Sequence, residues 1–424
     1  MSWEAFMEYI SIKGGNRLEG EVYISGAKNA AVAIIPAAIA ANDICIIENL
    51  PDIADVQALT TAMTQIGAVC TFRDEHTLEI DSRNITNYCA TYESVRKIRA
   101  SYYLLGVLLG RFGQAEVPMP GGCNFGVRPI DQHIKGLTAL GAEISIEHGI
   151  IKARADKLVG TNIYLDVVSV GATINIMLAA VYAEGVTIIE NAAKEPHIVD
   201  TANFLNILGA EIKGAGTDII KITGVKKLHG GTYTIIPDQI ESGTYMIAAA
   251  VTGGDVFVRN IIPKHMESII SKLTEMNCKI TTGADYVRVR TDKKLRCVNL
   301  KTMPYPGFPT DLQPQFTALL CTASGTGILT ETVWENRFQY INELKRLGAN
   351  IKLDGRTAVV QGDCKLSGAQ VNATDLRAGA TLVIAGLVAN GETLIGNVRY
   401  IDRGYEKIEE KLRALGADIT RVNR

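Results

Sequence analysis

No two of the eight cysteines in this 424-residue chain stand at C-x-x-C spacing. That scatter excludes a thiolate zinc motif and points to reduced thiols rather than a disulfide framework. Long apolar runs are also missing. The longest, Ala30 to Ala41, covers 12 residues and contains Pro36, whereas a bilayer span needs about 20. The opening residues, Met1-Ser2-Trp3-Glu4, carry no basic stretch leading into an apolar one, so no secretory signal is read. Neither charge is in excess: 43 Lys and Arg against 45 Asp and Glu leave a formal net charge of −2. This argues against a bulk nucleic-acid binder or a polybasic membrane-surface protein and leaves room for a local anion site. There is no P-loop, no G-x-G-x-x-G after a strand and no H-E-x-x-H, and the six histidines do not cluster. The expectation is a cytoplasmic protein without metal, membrane insertion or nucleic-acid partner.

What is present is an apolar fraction of 47%, ample for large cores, and an internal repeat. Leu-Gly-Ala, a polar residue and Ile recur from Leu140, Leu208, Leu347 and Leu415, with degenerate copies at Ile66-Gly67-Ala68 and Met276-Asn277-Cys278. The middle positions, 67, 141, 209, 277, 348 and 416, lie 68 to 74 residues apart and fill the chain with six units. Each unit reads as an apolar helix, a strand, an amphipathic helix and two or three strands. The first helix, apolar on all sides, is expected to be buried, and the second to cover the outside. Helices ringed by sheets differ from a doubly wound fold; a short-period solenoid is the alternative, though 70-residue units are long for one.

Equivalent positions in the repeats locate candidate chemistry. The buried helices begin near Lys28-Asn29, Arg99, Gly171, Ser242, Asp311 and Arg377. Free N–H groups at a helix N-terminus favour anions and disfavour cations. Lys28, Arg99 and Arg377 there either answer nearby carboxylates or mark a phosphorylated or carboxylated ligand. Asp311, between Pro309 and Pro314, is either an ordinary N-cap or a catalytic carboxylate. The second unit carries an insertion without counterpart, Pro118 to Pro129, rich in Gly and Pro, which reads as an exposed loop. Cys123 at its tip, five residues before Arg128, is a candidate nucleophile or proton donor. His133, just after the loop, either orients a ligand or is structural.

The loop Pro120-Gly121-Gly122-Cys123 through Arg128-Pro129 resembles the enolpyruvyl transferase family, in the branch acting on UDP-N-acetylglucosamine. So do Ser25-Gly26-Ala27-Lys28-Asn29, Asn191-Ala192-Ala193-Lys194-Glu195-Pro196, Phe308-Pro309-Thr310-Asp311, Glu335-Asn336-Arg337-Phe338, Asp375-Leu376-Arg377-Ala378 and Asp402-Arg403-Gly404-Tyr405-Glu406. The resemblance runs from about Tyr9 to the C-terminus. It implies a pair of inside-out α/β barrels with three repeats each: residues 1–27 plus 237–424, and an inserted domain, 28–236. The activity implied is transfer of the enolpyruvyl group of phosphoenolpyruvate to the 3-hydroxyl of UDP-N-acetylglucosamine, with no cofactor and no obligate protein partner. Carried over by motif, Cys123 is the general acid, able to form a covalent phosphoenolpyruvate adduct and to react with the epoxide fosfomycin. Asp311 handles the 3-hydroxyl proton. Lys28, Asn29, Arg128 and Arg403 form the phosphoenolpyruvate set. Arg99, Arg128, Pro129, Ile130, Asp131, Gln132, Ser169, Val170, Gly171, Asp311 and Val333 form the UDP-sugar set, with Asn29 also touching the sugar. Arg337, Asp375 and Arg377 support the anionic site. Val167 stands where several members of the family carry a lysine.

Overall fold

The computed structural model describes residues 8–90, 102–119 and 130–423. They divide into two compact units: one runs up to Ser25 and resumes at Pro237, the other spans Gly26 to Ile236. Cys123, Arg128, Pro129 and Arg99 lie outside the described residues.

Twelve α-helices occur among the described residues, alternating in burial. The odd-numbered ones are α1 (Lys28–Ala37), α3 (Tyr103–Phe112), α5 (Val170–Ala180), α7 (Gln239–Val251), α9 (Gln313–Thr322) and α11 (Leu376–Gly386). Each is buried over most of its length: in α5 every residue from Ala172 to Ala180 is inside. The even-numbered ones are α2 (Ala54–Gln65), α4 (Asp131–Ala139), α6 (Pro196–Ile207), α8 (Glu267–Glu275), α10 (Ile341–Arg346) and α12 (Ile408–Ala414). These bury one stripe; α8 keeps only Ile269 and Leu273 inside. Helices apolar all round can only be satisfied at a centre. Removing a side chain such as Leu108, fully buried on α3, costs about 2–5 kcal/mol.

Sheets cover each helical centre, and they remain separate rather than closing into one barrel. Five have four strands and one has three. A typical sheet pairs Asp255–Arg259 in parallel with Glu19–Tyr23 and antiparallel with Tyr286–Arg290. The chain start belongs to the unit of the chain end because Glu8–Lys13 is inserted between Glu392–Gly396 and Asp418–Asn423. The other unit closes on itself when Gly231–Thr234 pairs with Ile44–Glu48.

The repeat mark has a backbone cause. Gly67, Gly141, Gly209, Gly348 and Gly416 follow their outer helices with φ between +95° and +105°, and Asn277 takes the same place with φ +82°. A left-handed residue ends the helix and sends the chain into the next strand; glycine and asparagine tolerate it best.

Candidate active site

In the unit Gly26–Ile236, Lys28 is the first residue of α1, a helix without a side-chain cap. Its ammonium lies 3.0 Å from Asp55 in the first turn of α2, and both side chains are largely buried. The cation at this N-terminus thus has a carboxylate partner, one of the two readings open from sequence. Asn29 follows, half-buried.

Ile130, Asp131 and Gln132 start α4, and Ser169, Val170 and Gly171 start α5. Two contacts bring the segments together. The Gln132 amide accepts from the Asp166 N–H at 2.9 Å and donates to the Asp166 carboxylate at 3.1 Å. This fixes the approach to Ser169, whose hydroxyl caps α5 by accepting from the Ala172 N–H. Gly171 faces α4 so closely that a Cβ there would sit 2.9 Å from the Tyr102 hydroxyl and 3.0 Å from His133 Nε2. His133 is buried, its Nδ1 accepting from the Asn175 amide at 3.0 Å. Burial pushes its pKa down to about 4, so the ring is neutral and joins helices. The same Asn175 accepts from the Gly106 N–H at 2.6 Å, an approach only glycine permits, since a Cβ would lie 2.1 Å from the Asn175 carbonyl oxygen. Val167 is exposed, and beside it Asp166 pairs with the Lys135 ammonium at 2.7 Å. Lys135 thus places a cation against Asp166, the residue preceding Val167.

In the other unit, Asp311 sits in the single 3-10 turn Thr310–Leu312 that leads into α9. Arg337 donates to its Oδ1 at 3.1 Å, and Arg377 donates to its Oδ2 from Nε at 3.2 Å and from the terminal nitrogen at 3.0 Å. Both guanidiniums are buried. Asp375 is the N-cap of α11: its Oδ1 accepts from the N–H groups of Arg377 and Ala378 at 2.8 and 3.1 Å. Such a cap is worth about 1 kcal/mol, and its charge helps Arg377 tolerate a helix N-terminus. The Arg377 guanidinium also lies 5.5 Å from the Tyr405 ring centroid. Burial and the Asp311 and Tyr405 oxygens decide its state together; the guanidinium is held firmly charged. Arg403 lies in the turn two residues before Tyr405, half-buried. Val333 is partly exposed, and its N–H donates to Glu331 at 2.7 Å.

Four residues were not singled out from sequence. Asp55 and Glu331 are carboxylates among many, with partners far along the chain. Gln315 and Thr244 meet the Tyr405 hydroxyl at 3.1 and 2.9 Å in the buried centre; only their place on inner helices hinted at them. Among the described residues no group of three or more His, Cys, Asp or Glu could hold a metal ion, and no helix is long and apolar enough to cross a membrane.

The sequence matches the EPSP synthase (3-phosphoshikimate 1-carboxyvinyltransferase) family over residues 12–412. It is 58% identical over 417 residues to the UDP-N-acetylglucosamine 1-carboxyvinyltransferase of Clostridium botulinum, covering 98% of this chain and 100% of that one. The chain belongs to this family of enolpyruvyl transferases. UDP-N-acetylglucosamine 1-carboxyvinyltransferase 3 of Caldanaerobacter subterraneus subsp. tengcongensis is 57% identical over 416 residues, with 98% and 100% of the two chains covered. Among solved structures, the enolpyruvyl transferase NikO from Streptomyces tendae superposes with a TM-score of 0.90 at 28% identity, covering 99% of this chain and 100% of that one. EPSP synthase from Acinetobacter baumannii, at 19% identity, shares the fold with a TM-score of 0.76 over 98% of this chain and 100% of that one. The enolpyruvyl transferase fold is therefore the fold of this chain, and the chain is an enzyme of the carboxyvinyl-transferring class.

Proposed function

We propose that this enzyme transfers the enolpyruvyl group of phosphoenolpyruvate to the 3-hydroxyl of UDP-N-acetylglucosamine and releases phosphate, the first committed step towards peptidoglycan precursors. The observation that carries the reading is identity of 57–58% over nearly the whole chain to relatives bearing that activity in their names. The chemistry asks for three things: removal of the hydroxyl proton, a proton delivered to the methylene carbon so that C2 becomes electrophilic, and expulsion of phosphate as a proton leaves the same carbon. In this reading Asp311 takes the hydroxyl proton. Arg337 on one oxygen and Arg377 on the other stop the carboxylate from rotating, the preorganisation on which proton transfer depends. Cys123 delivers the proton to the methylene carbon and can hold phosphoenolpyruvate as a thiol adduct.

Lys28, Arg128 and Arg403 bind the phosphate and carboxylate of the donor, with Asn29 beside them. Arg99 adds charge. The segments Arg128 to Gln132 and Ser169 to Gly171 hold the uridine and diphosphate, and Val333 meets the sugar. No metal or organic cofactor takes part, and the enzyme works in the cytoplasm. The Gln132–Asp166 tie and the Lys135–Asp166 pair support a shared nucleotide-binding role for the first two segments.

A phosphate-release assay decides the acceptor. Release with phosphoenolpyruvate and UDP-N-acetylglucosamine is expected, and release only with shikimate-3-phosphate would overturn the reading. A Cys123→Ser enzyme is expected to lose the mass increase given by phosphoenolpyruvate or fosfomycin; a surviving adduct would remove Cys123 from the mechanism.

A further inference from the structure

Among the described residues, five junctions leading into inner helices are tied by the same backbone bond. The residue after the entering strand donates its N–H to the last carbonyl of the central strand: Ile24 to Arg259, Leu165 to Glu190, Ile235 to Glu48, Ala373 to Gly396 and Thr302 to Thr330, all at 3.0–3.1 Å. In four of them the next residue along the central strand is a left-handed asparagine, Asn260, Asn191, Asn49 or Asn397. Its amide donates back to the junction carbonyl: Asn260 to Ile24 at 2.7 Å, Asn191 to Leu165 and Asn49 to Ile235 at 2.8 Å, and Asn397 to Ala373 at 3.3 Å. This is a scaffold device, repeated because the fold repeats.

The fifth junction departs from it. Glu331 occupies the asparagine position, without a left-handed backbone, and its side chain is fully buried. The bond to the junction carbonyl is made instead by the Thr332 hydroxyl, 2.6 Å from the Thr302 oxygen. Glu331 faces the other way. Its Oε1 accepts from the Thr302 hydroxyl at 2.8 Å and from the N–H groups of Val333 and Trp334 at 2.7 and 3.1 Å. Its Oε2 accepts from the Thr310 hydroxyl at 2.9 Å. Burying a carboxylate where a carboxamide serves elsewhere is costly, and only a full set of donors makes it tolerable. Besides Thr302 of the junction itself, the donors belong to the residue preceding Asp311 and to the segment containing Val333.

We infer that Glu331 is a positioning residue of the transfer reaction, setting the Asp311 carboxylate and the Val333–Trp334 backbone in one fixed geometry. The inference rests on the roles proposed above for Asp311 and Val333. One buried group then places both the proton acceptor and the sugar contact, and loosening it displaces both.

The repeats supply the control, because Glu331→Asn installs the residue that four sister junctions use. This variant is expected to melt close to the wild type. Its KM for UDP-N-acetylglucosamine is expected to rise about 10- to 100-fold and its kcat to fall, with the KM for phosphoenolpyruvate much less affected. Glu331→Gln keeps an oxygen for Val333 and Trp334 but turns an NH2 towards Thr310. It is expected to recover most of the sugar KM while kcat stays low, and it carries the test if the asparagine variant does not fold. Hydrogen exchange at the Val333 and Trp334 amides gives a readout independent of turnover and is expected to quicken in Glu331→Asn. Kinetic constants within about twofold of wild type, or losses in both variants that merely follow their melting temperatures, would overturn the inference. So would unchanged exchange at the two amides. A wild type that releases no phosphate with the UDP-sugar would sink the functional reading instead, and the exchange result would still decide whether Glu331 sets this segment.

Discussion

Arg377 and Asp311 meet from the beginnings of two different inner helices, two guanidinium nitrogens lying 3.2 and 3.0 Å from one carboxylate oxygen. The half-buried Asp311 carboxylate compensates a guanidinium charge that Arg377 could not carry alone in so buried a place. Arg377→Gln keeps a donor but leaves Asp311 with a looser orientation, so kcat for phosphate release is expected to fall about a hundredfold. Arg377→Lys is expected to rescue little, because an ammonium cannot reproduce the planar two-nitrogen contact. Steady-state kinetics checks both, and a lysine variant equal to wild type would show that charge alone suffices.

Arg421, in the final strand, reaches back to both oxygens of Asp402, to Glu409 at 2.5 Å and to Glu8 at 3.4 Å. Asp402 immediately precedes Arg403, so this network holds the turn on which Arg403 stands. Arg421→Ala is expected to raise the KM for phosphoenolpyruvate several-fold more than that for the UDP-sugar, and to cost about 1–3 kcal/mol of stability. Equal changes in the two KM values would mean that the network supports the fold without favouring the donor.

Two buried groups of the Gly26–Ile236 unit titrate with opposite signs. Burial pushes the Asp200 pKa up to about 6, against smaller lowering by hydrogen bonds from Tyr233 and Ile236. A raised folded pKa contributes stability fully present below the unfolded value of about 4 and lost as pH rises through about 6. His133, held down at about 4 by burial, contributes stability present above about 6.5 and lost as pH falls towards 4. The two slopes offset each other. Asp200→Asn removes one of them: it is expected to be more stable than wild type by about 1–3 kcal/mol at pH 7.5 and by little at pH 4. Urea unfolding across this range tests it, and a pH-independent difference would refute the assignment.

Gly171→Ala inserts a methyl against the Tyr102 hydroxyl and His133 Nε2, at 2.9 and 3.0 Å. Overpacking of this kind costs about 1–3 kcal/mol, and the strain falls on the first turn of α5, which carries Ser169 and Val170. The KM for UDP-N-acetylglucosamine is expected to rise while the phosphoenolpyruvate KM stays near wild type. A shift confined to the donor would place this turn elsewhere in the mechanism.

The architecture was legible because it is written six times. The Leu-Gly-Ala mark reports a left-handed turn, and the apolar runs report helices with no exposed face, both local properties. Motifs such as Thr310-Asp311 and Asp375-Leu376-Arg377 were equally visible, and the structure brings Asp311, Arg337 and Arg377 together. What stayed hidden was pairing across the sequence. Nothing around Asp55 announces Lys28, and Glu331 looks like any acidic residue after a strand until its place is compared with Asn49 or Asn397. The resemblance put the first crossing between residues 27 and 28, the contacts put it after Ser25, and no linker composition marks either.

The strand pairing has a temporal consequence. Glu8–Lys13 is synthesised long before its neighbours, Glu392–Gly396 and Asp418–Asn423. The unit closed by Gly231–Thr234 can finish folding during synthesis, while the other unit waits with an apolar strand, Tyr9 to Ile12, unpaired. Translation must reach the final strand before Ile10 and Ile12 acquire both their partners. Loss of Asp418–Asn423 would therefore leave one edge of Glu8–Lys13 unpaired as well.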